Sequence, residues 1–195
     1  SKVSCHYFIN EKGQITSIIP DNNIAWHAGK SRWGKLSSLN KYSIGIELVN
    51  PGHNFGYKKF KKKQISALIQ LIKKLIKKYN INKKNIVGHS DIAPLRKKDP
   101  GEKFPWKILA KSNIGIWHNL KQKKLMKNRK KKILKKEKLI FFKFLNKIGF
   151  QTRFNIKKSK YQKKLIEAFQ RRFRQELING VIDLECLLIS KNLIK

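Results

Sequence analysis

Ser43-Ile44-Gly45-Ile46-Glu47-Leu48-Val49 alternates without a break, with Ile44, Ile46 and Leu48 on one face and Ser43, Gly45, Glu47 and Val49 on the other. A period of two is the pattern of a strand with one buried side. Beyond it the period changes. Residues 64–79 carry Ile65, Leu68, Ile69, Ile72, Leu75, Ile76 and Tyr79 at three- and four-residue spacing with lysines on the far side, which predicts a core-facing helix. A membrane-surface helix shares that pattern, but this segment lies between strands rather than at a terminus. Before the strand, Val3–Ile9 and Gln14–Ile19 read as two further strands joined by Asn10-Glu11-Lys12-Gly13. After the helix, Ile86-Val87-Gly88 reads as a short strand ending at His89, and the Pro-rich stretch on to Trp106 as loop. The order strand, strand, loop, strand, helix, strand predicts a mixed α/β domain, a central sheet flanked by helices.

The remainder of the 195 residues has a different texture. Lys121–Lys138 is nearly all basic with no strong periodic face and reads as a linker able to be helical. Past it, Leu139-Ile140-Phe141-Phe142 and Leu145 predict one short helix, and Leu165, Ile166, Phe169, Phe173 and Leu177 share one face of a second. Asn179-Gly180 is expected to stop that helix, and Asp183 to cap a third through Leu187 and Leu188. The division expected is an α/β domain over 1–117, a basic linker over 118–138 and a three-helix domain over 139–195. The chain opens at Ser1 without an initiator Met, directly at a strand-like segment, so processing or truncation is expected to have removed what came before.

Charge is extreme: 47 Lys+Arg against 11 Asp+Glu, a formal net charge of +36. Such a field draws polyanions, and nucleic acid, an anionic membrane face and acidic wall polymers all qualify. The lysines are nevertheless spread through every segment, which also fits compositional drift. No nucleic-acid recognition motif and no interleaved basic–aromatic platform is present, so nucleic acid is not the expected partner. No apolar run approaches the roughly 20 residues of a membrane-spanning helix. Cys5 and Cys186 lie far apart and form neither a CxxC nor a disulfide framework.

Side chains capable of chemistry gather in His89-Ser90-Asp91-Ile92-Ala93-Pro94-Leu95-Arg96-Lys97-Lys98-Asp99-Pro100-Gly101, a loop stiffened by two prolines. His and Asp are zinc ligands at separations set by the fold. In an extended run Lys97 and Asp99 point the same way and Lys98 points away, and an ammonium beside an acyl oxygen stabilises an oxyanion. A surface loop with solvated charges is the plain alternative. Glu47 is a carboxylate inside an apolar strand, either facing solvent or looking into a cleft as a general base. Trp26-His27-Ala28-Gly29 and Trp33-Gly34 offer the aromatic surface and close backbone approach that sugar and peptide ligands use, and ordinary loop packing explains them equally well.

Taken in order, Val3-Ser4-Cys5-His6-Tyr7, Ala25-Trp26-His27-Ala28-Gly29, Ser43-Ile44-Gly45-Ile46-Glu47, Gly88-His89-Ser90-Asp91-Ile92-Ala93-Pro94, Lys97, Asp99-Pro100-Gly101 and Phe104-Pro105-Trp106 resemble the type 2 N-acetylmuramoyl-L-alanine amidases. That family shares its fold with phage amidase-lysozymes and animal peptidoglycan recognition proteins. The likeness runs from Ser1 to about Ile116. The tail is similar to a three-helix peptidoglycan-binding domain, most visibly in Ala168-Phe169-Gln170-Arg171-Arg172-Phe173 and Asn179-Gly180-Val181-Ile182-Asp183.

The resemblance implies a zinc (Zn2+) enzyme that cuts between N-acetylmuramic acid and L-alanine in peptidoglycan or in released muropeptides. It implies His89 and Asp99 as metal ligands, Glu47 orienting or deprotonating the attacking water, and Lys97 stabilising the tetrahedral intermediate. His6, Trp26 and His27 would lie at the substrate cleft, and Cys5 takes a position that holds a catalytic Tyr in some relatives. The family's third ligand is a His on a central strand preceding the motif at Ser4-Cys5-His6-Tyr7, and no such strand is present, so the N-terminal strand is expected upstream of Ser1. The alternative is a receptor that binds wall fragments without cutting them. A monomer in the periplasm or cell envelope is the expectation, with membrane anchoring through an upstream segment left open.

Overall fold

The computed structural model describes residues 3–152 and 158–195. Strands β1 (Tyr7–Ile9), β2 (Ile15–Ser17) and β5 (Ile46–Leu48) form one sheet in the order β2-β1-β5, while β3 (Arg32–Trp33) and β4 (Leu36–Ser37) make a small separate hairpin. β1 pairs antiparallel with β2 and parallel with β5, Phe8 lying opposite Glu47. The sheet is therefore mixed, as the element order predicts. Ile44, Ile46 and Leu48 turn toward the core and Glu47 to the opposite face of the sheet, which is open to solvent at its edge and crowded at the carboxyl. Helix α1 (Lys62–Tyr79) buries Ile65, Leu68, Leu71, Ile72 and Leu75 against the sheet, and Asn80 ends it in the left-handed conformation. Gln64, 1% exposed, ties helix to sheet by donating to the carbonyls of Ile9 and Val49. Its burial is stabilising because its amide finds acceptors at the strand ends.

Three local expectations differ from the structure. Residues 86–88 pair with no strand among the described residues, and His89 opens a one-turn helix, α2 (His89–Ile92), rather than closing a strand. The stretch to Trp106 is loop only from Ala93 to Pro105, where α3 (Trp106–Lys111) begins. The second tail helix stops at Phe173, short of Leu177. Past that point tertiary bonds set the chain's course: Gln170 Oε1 accepts from the backbone of Asn179 and Gly180, and Gln175 donates to the carbonyl of Phe104.

The segment read as a basic linker holds α4 (Gln122–Asn128) and the first turn of α5 (Lys135–Ile148). Leu125 is 3% exposed. Polar ties bring this segment onto the last helix, α7 (Leu184–Asn192): Arg129 pairs with Glu185 through two bonds, and the Lys130 N–H donates to Asp183, whose side chain also caps α7 at Cys186. Burial raises the Asp183 pKa, but the N–H bonds from Cys186 and Lys130 and the charge of Arg174 outweigh it, so the net shift is downward. Helices α5, α6 (Lys158–Phe173) and α7 pack through Phe141, Leu145, Leu165, Phe169, Cys186 and Ile189, all fully buried. Each such apolar side chain contributes about 1.5–3 kcal/mol. The same cluster takes in Ala28, Trp33 and Leu39 from the first forty residues, so the tail is docked on the α/β part. Trp33 stands edge-on to Phe150 at 5.0 Å and donates to the carbonyl of Lys84.

Candidate active site

Period-two geometry sends Glu47 out of the sheet on the side opposite Ile46 and Leu48. There it faces the loop after α2. Burial of its carboxyl and then the charge of Asp99 push the Glu47 pKa above the usual carboxylate range, while His89 and Lys97 pull the other way. Glu47 therefore lies within electrostatic reach of His89, Lys97 and Asp99. A carboxyl so raised is a better proton acceptor at neutral pH than an ordinary glutamate. Lys97 is half-buried, while Lys98 and Asp99 are both exposed, and the Lys97 N–H donates to the Ala93 carbonyl at the end of a turn.

His89 and Asp99 meet directly, Nδ1 to Oδ2 at 3.1 Å. The other ring nitrogen, Nε2, lies 3.2 Å from the carbonyl of Ala28, which can only accept, so Nε2 carries a proton. Without a metal Nδ1 in turn donates to the Asp99 carboxylate, which likewise can only accept. Burial raises the Asp99 pKa, but the hydrogen bond and charge of His89, a backbone N–H and the charge of Lys97 together outweigh it, so the net shift is downward. Zinc ligands at about 2.0–2.1 Å and a tetrahedral angle lie about 3.3 Å apart, so this pair fits as two donors to one ion. Among the described residues no group of three or more His, Cys, Asp and Glu side chains is placed to hold a metal.

The loop 25–29 forms the opposite wall. His27 packs its ring on Gly45, where a Cβ would come 2.3 Å from the ring carbon Cγ. Its Nδ1 reaches the Ala25 carbonyl and its Nε2 the Ser43 hydroxyl, both at 3.0 Å. Burial, then the neighbouring His6 and His89, drive the His27 pKa down to about 4, so it is neutral at physiological pH. Trp26, 61% exposed, stands on the rim, its backbone held by Ser4. His6 sits differently from the other two residues expected at the cleft. It is 1% exposed, accepts from the Gly45 N–H at Nδ1 and reaches the Asn23 carbonyl with Nε2. Both nitrogens are taken by backbone, so His6 braces the sheet and supports His27 from 5.4 Å behind. Cys5 is buried, and burial followed by the charge of Glu47 pushes its thiol pKa up, away from a reactive thiolate.

Some contributors carry no sequence signal of their own. Asn40 accepts from the backbone N–H of both His27 and Ala28, and Arg96 donates to the carbonyls of Ala28 and Lys30. Together they fix the carbonyl that accepts from His89 Nε2. Tyr57 donates to the Pro100 carbonyl and accepts from the Lys103 N–H, clamping the chain just after Asp99.

A carboxylate of raised pKa, a His–Asp pair of metal-ligand type and a lysine, set at the edge of a mixed α/β sheet, make the build of a hydrolase. Comparison with known proteins narrows that class. The model of the Amidase_2 family, N-acetylmuramoyl-L-alanine amidase, matches residues 1–102, a span that contains all four of those side chains. The chain belongs to this family of N-acetylmuramoyl-L-alanine amidases. It is 36% identical over 206 residues to the N-acetylmuramoyl-L-alanine amidase AmiD of Escherichia coli (strain K12), covering 100% of this chain and 74% of that protein. It is 40% identical over 106 residues to the 1,6-anhydro-N-acetylmuramyl-L-alanine amidase AmpD of Haemophilus influenzae, covering 54% of this chain and 55% of that one. Among solved structures, AmiD from E. coli in complex with its substrate anhydro-N-acetylmuramic acid-L-Ala-D-gamma-Glu-L-Lys superposes with a TM-score of 0.87 at 35% identity, covering 100% of this chain and 80% of that one. AmpDH3 from Pseudomonas aeruginosa gives 0.85 at 31% identity, covering 98% and 82%. The likeness to AmiD and AmpDH3 extends through the C-terminal helices, that to AmpD over about half the chain.

Proposed function

We propose that this chain hydrolyses the amide between N-acetylmuramic acid and L-alanine in muropeptides or peptidoglycan with the help of zinc. The observation that carries the reading is the raised Glu47 carboxyl set beside the His89–Asp99 pair. The AmiD structure with a bound anhydro-muropeptide, similar over the whole chain, supports the substrate class.

His89, through Nδ1, and Asp99 are the residues of this chain that would hold the metal. When bound, zinc supplies Lewis acidity, making water nucleophilic near neutral pH and polarising a carbonyl. Glu47 takes the proton of the attacking water and returns it to the departing L-alanine amine, so one carboxyl serves as base and then acid. Lys97 places an ammonium where the carbonyl oxygen becomes an oxyanion. His27, neutral, and Trp26 on the rim bind sugar or peptide beside the scissile bond. The C-terminal helices are proposed to touch peptidoglycan, a reading supported by the sequence likeness of 168–173 and 179–183 to wall-binding domains.

The test is release of stem peptide from anhydro-N-acetylmuramyl tripeptide, followed by mass spectrometry with added zinc and with chelator, alongside metal analysis of His89→Ala and Asp99→Ala. Release that stops with chelator, and zinc lost from both variants, is the expected result. Muropeptide binding without release under any metal condition would instead identify a receptor.

A further inference from the structure

The one-turn helix that carries His89 is too short to hold itself, since a single turn fixes several dihedrals for one hydrogen bond. What holds it comes from the far end of the chain. Arg172 on α6 is 2% exposed. Its Nη1 donates to Asp91 Oδ2 across a separation of 81 residues, its Nη2 donates to the Ile86 carbonyl at 2.7 Å, and its guanidinium lies 4.1 Å from the ring centre of Trp106. Ile86 and Asp91 bracket His89. Asp91 Oδ2 also accepts the Gly88 N–H at 2.8 Å, and the Ser90 N–H donates to the Asp99 carbonyl at 2.8 Å. One guanidinium thus grips the chain on both sides of the histidine, and the histidine's neighbour grips the loop of its partner carboxylate.

The pair is poorly explained as a stabilising device. Asp91 Oδ1 and Arg172 Nε are buried with no hydrogen-bond partner among the described residues. Apolar side chains of similar volume replace such buried pairs at little or no cost in stability. What the pair does supply is direction, because a planar guanidinium donates along fixed axes to two acceptors while stacking on an indole.

We propose that Arg172 is a positioning residue of the amidase site: the C-terminal helices complete that site by fixing α2 so that His89 presents Nδ1 to Asp99. The inference rests on the reading of His89 and Asp99 as a ligand pair. Its test uses the full chain, with Arg172→Lys and the paired neutral variant Arg172→Met/Asp91→Asn, in which the introduced amide oxygen can still accept from the Gly88 N–H. NMR of protein with nitrogen-15-labelled histidine reads the ring N–H protons of His89 without metal, the resonances being assigned with His89→Gln. Competition with a chromophoric chelator reads zinc affinity.

The wild type should show a His89 Nδ1–H protected from exchange by its hydrogen bond to Asp99. The paired variant should keep its circular dichroism, lose the protection of that N–H and bind zinc at least tenfold more weakly, with Arg172→Lys in between. A folded paired variant with wild-type protection of the His89 Nδ1–H and zinc affinity within twofold of wild type would overturn the proposal. Should the pair not fold, Arg172→Lys, which keeps the charge, decides by the same two readings. Zinc binding undiminished in both His89→Ala and Asp99→Ala would sink the ligand assignment instead, while the Nδ1–H signal would still report on positioning.

Discussion

Replacing Gly45 by Ala tests whether the sheet and the cleft wall are as tightly fitted as they look. Gly45 lies outside the left-handed region, so alanine meets no backbone strain there and only the space is at issue. Its Cβ would sit 2.3 Å from Cγ, 2.6 Å from Cδ2 and 2.8 Å from Cβ of His27. Carbon atoms pack at about 3.5–4.0 Å, so the ring must retreat by roughly 1.2 Å. It cannot do so freely, because Ala25, Ser43 and Asn40 hold its two nitrogens and its backbone. Overpacking of this kind costs about 1–3 kcal/mol. Two ring hydrogen bonds lost add about 1–3 kcal/mol, and the stiffer unfolded chain returns about 0.4–1 kcal/mol. The expected net loss is about 2–4 kcal/mol, read as a fall of the urea midpoint by on the order of 1–2 M for ordinary denaturant sensitivity. Turnover should fall with it, since His27 leaves its place beside His89. A Gly45→Ala protein within about 0.5 kcal/mol of wild type, with unchanged turnover, would show that the ring is not confined and that the cleft wall is looser than drawn.

Glu47→Gln should cut peptide release by roughly 10²–10⁴-fold, the usual scale for a lost general base. Because the folded carboxyl has a raised pKa, its ionisation costs stability as pH rises through that value. The variant should therefore melt higher than wild type at pH 7 and lose that advantage below the ordinary carboxyl range, and a variant-to-wild-type difference that is the same at pH 7 and pH 3.5 would contradict the raised pKa of this group. His27 behaves oppositely. Its pKa is lowered from 6.5 to about 4, so wild-type stability should decline as pH falls across that window, by on the order of 3 kcal/mol at most. His27→Gln should flatten the pH dependence of the urea midpoint between pH 6.5 and 4, and an unchanged slope would place the imidazole in solvent. Ending the chain after Trp117 would uncover Ala28, Trp33 and Leu39 and leave Asp91 without Arg172, so the fragment should aggregate or melt at least 10 °C lower; a soluble fragment with full turnover on anhydro-muropeptides would refute this docking argument.

What the sequence determined by itself is what short-range physics controls. Alternation places Glu47 on the face opposite Ile46, three-four spacing makes α1, Asp183 caps α7, and proline-stiffened loop chemistry marks His89, Lys97 and Asp99 as neighbours. Each of these rules acts over a few residues and needs no knowledge of the rest of the chain. Tertiary structure alone decided the remainder. Lysines around 121–138 look like a solvated linker, yet Glu185, more than fifty residues on, docks Arg129 and draws Leu125 into the core. His6 carries the same motif chemistry as an exposed histidine, and only the arrival of Gly45 and Asn23 at its two nitrogens turns it into a brace. Nothing near Arg172 in sequence says that its guanidinium will close on Asp91, because burial and pairing are properties of a place in the fold, and that place is set by packing between segments that share no local pattern.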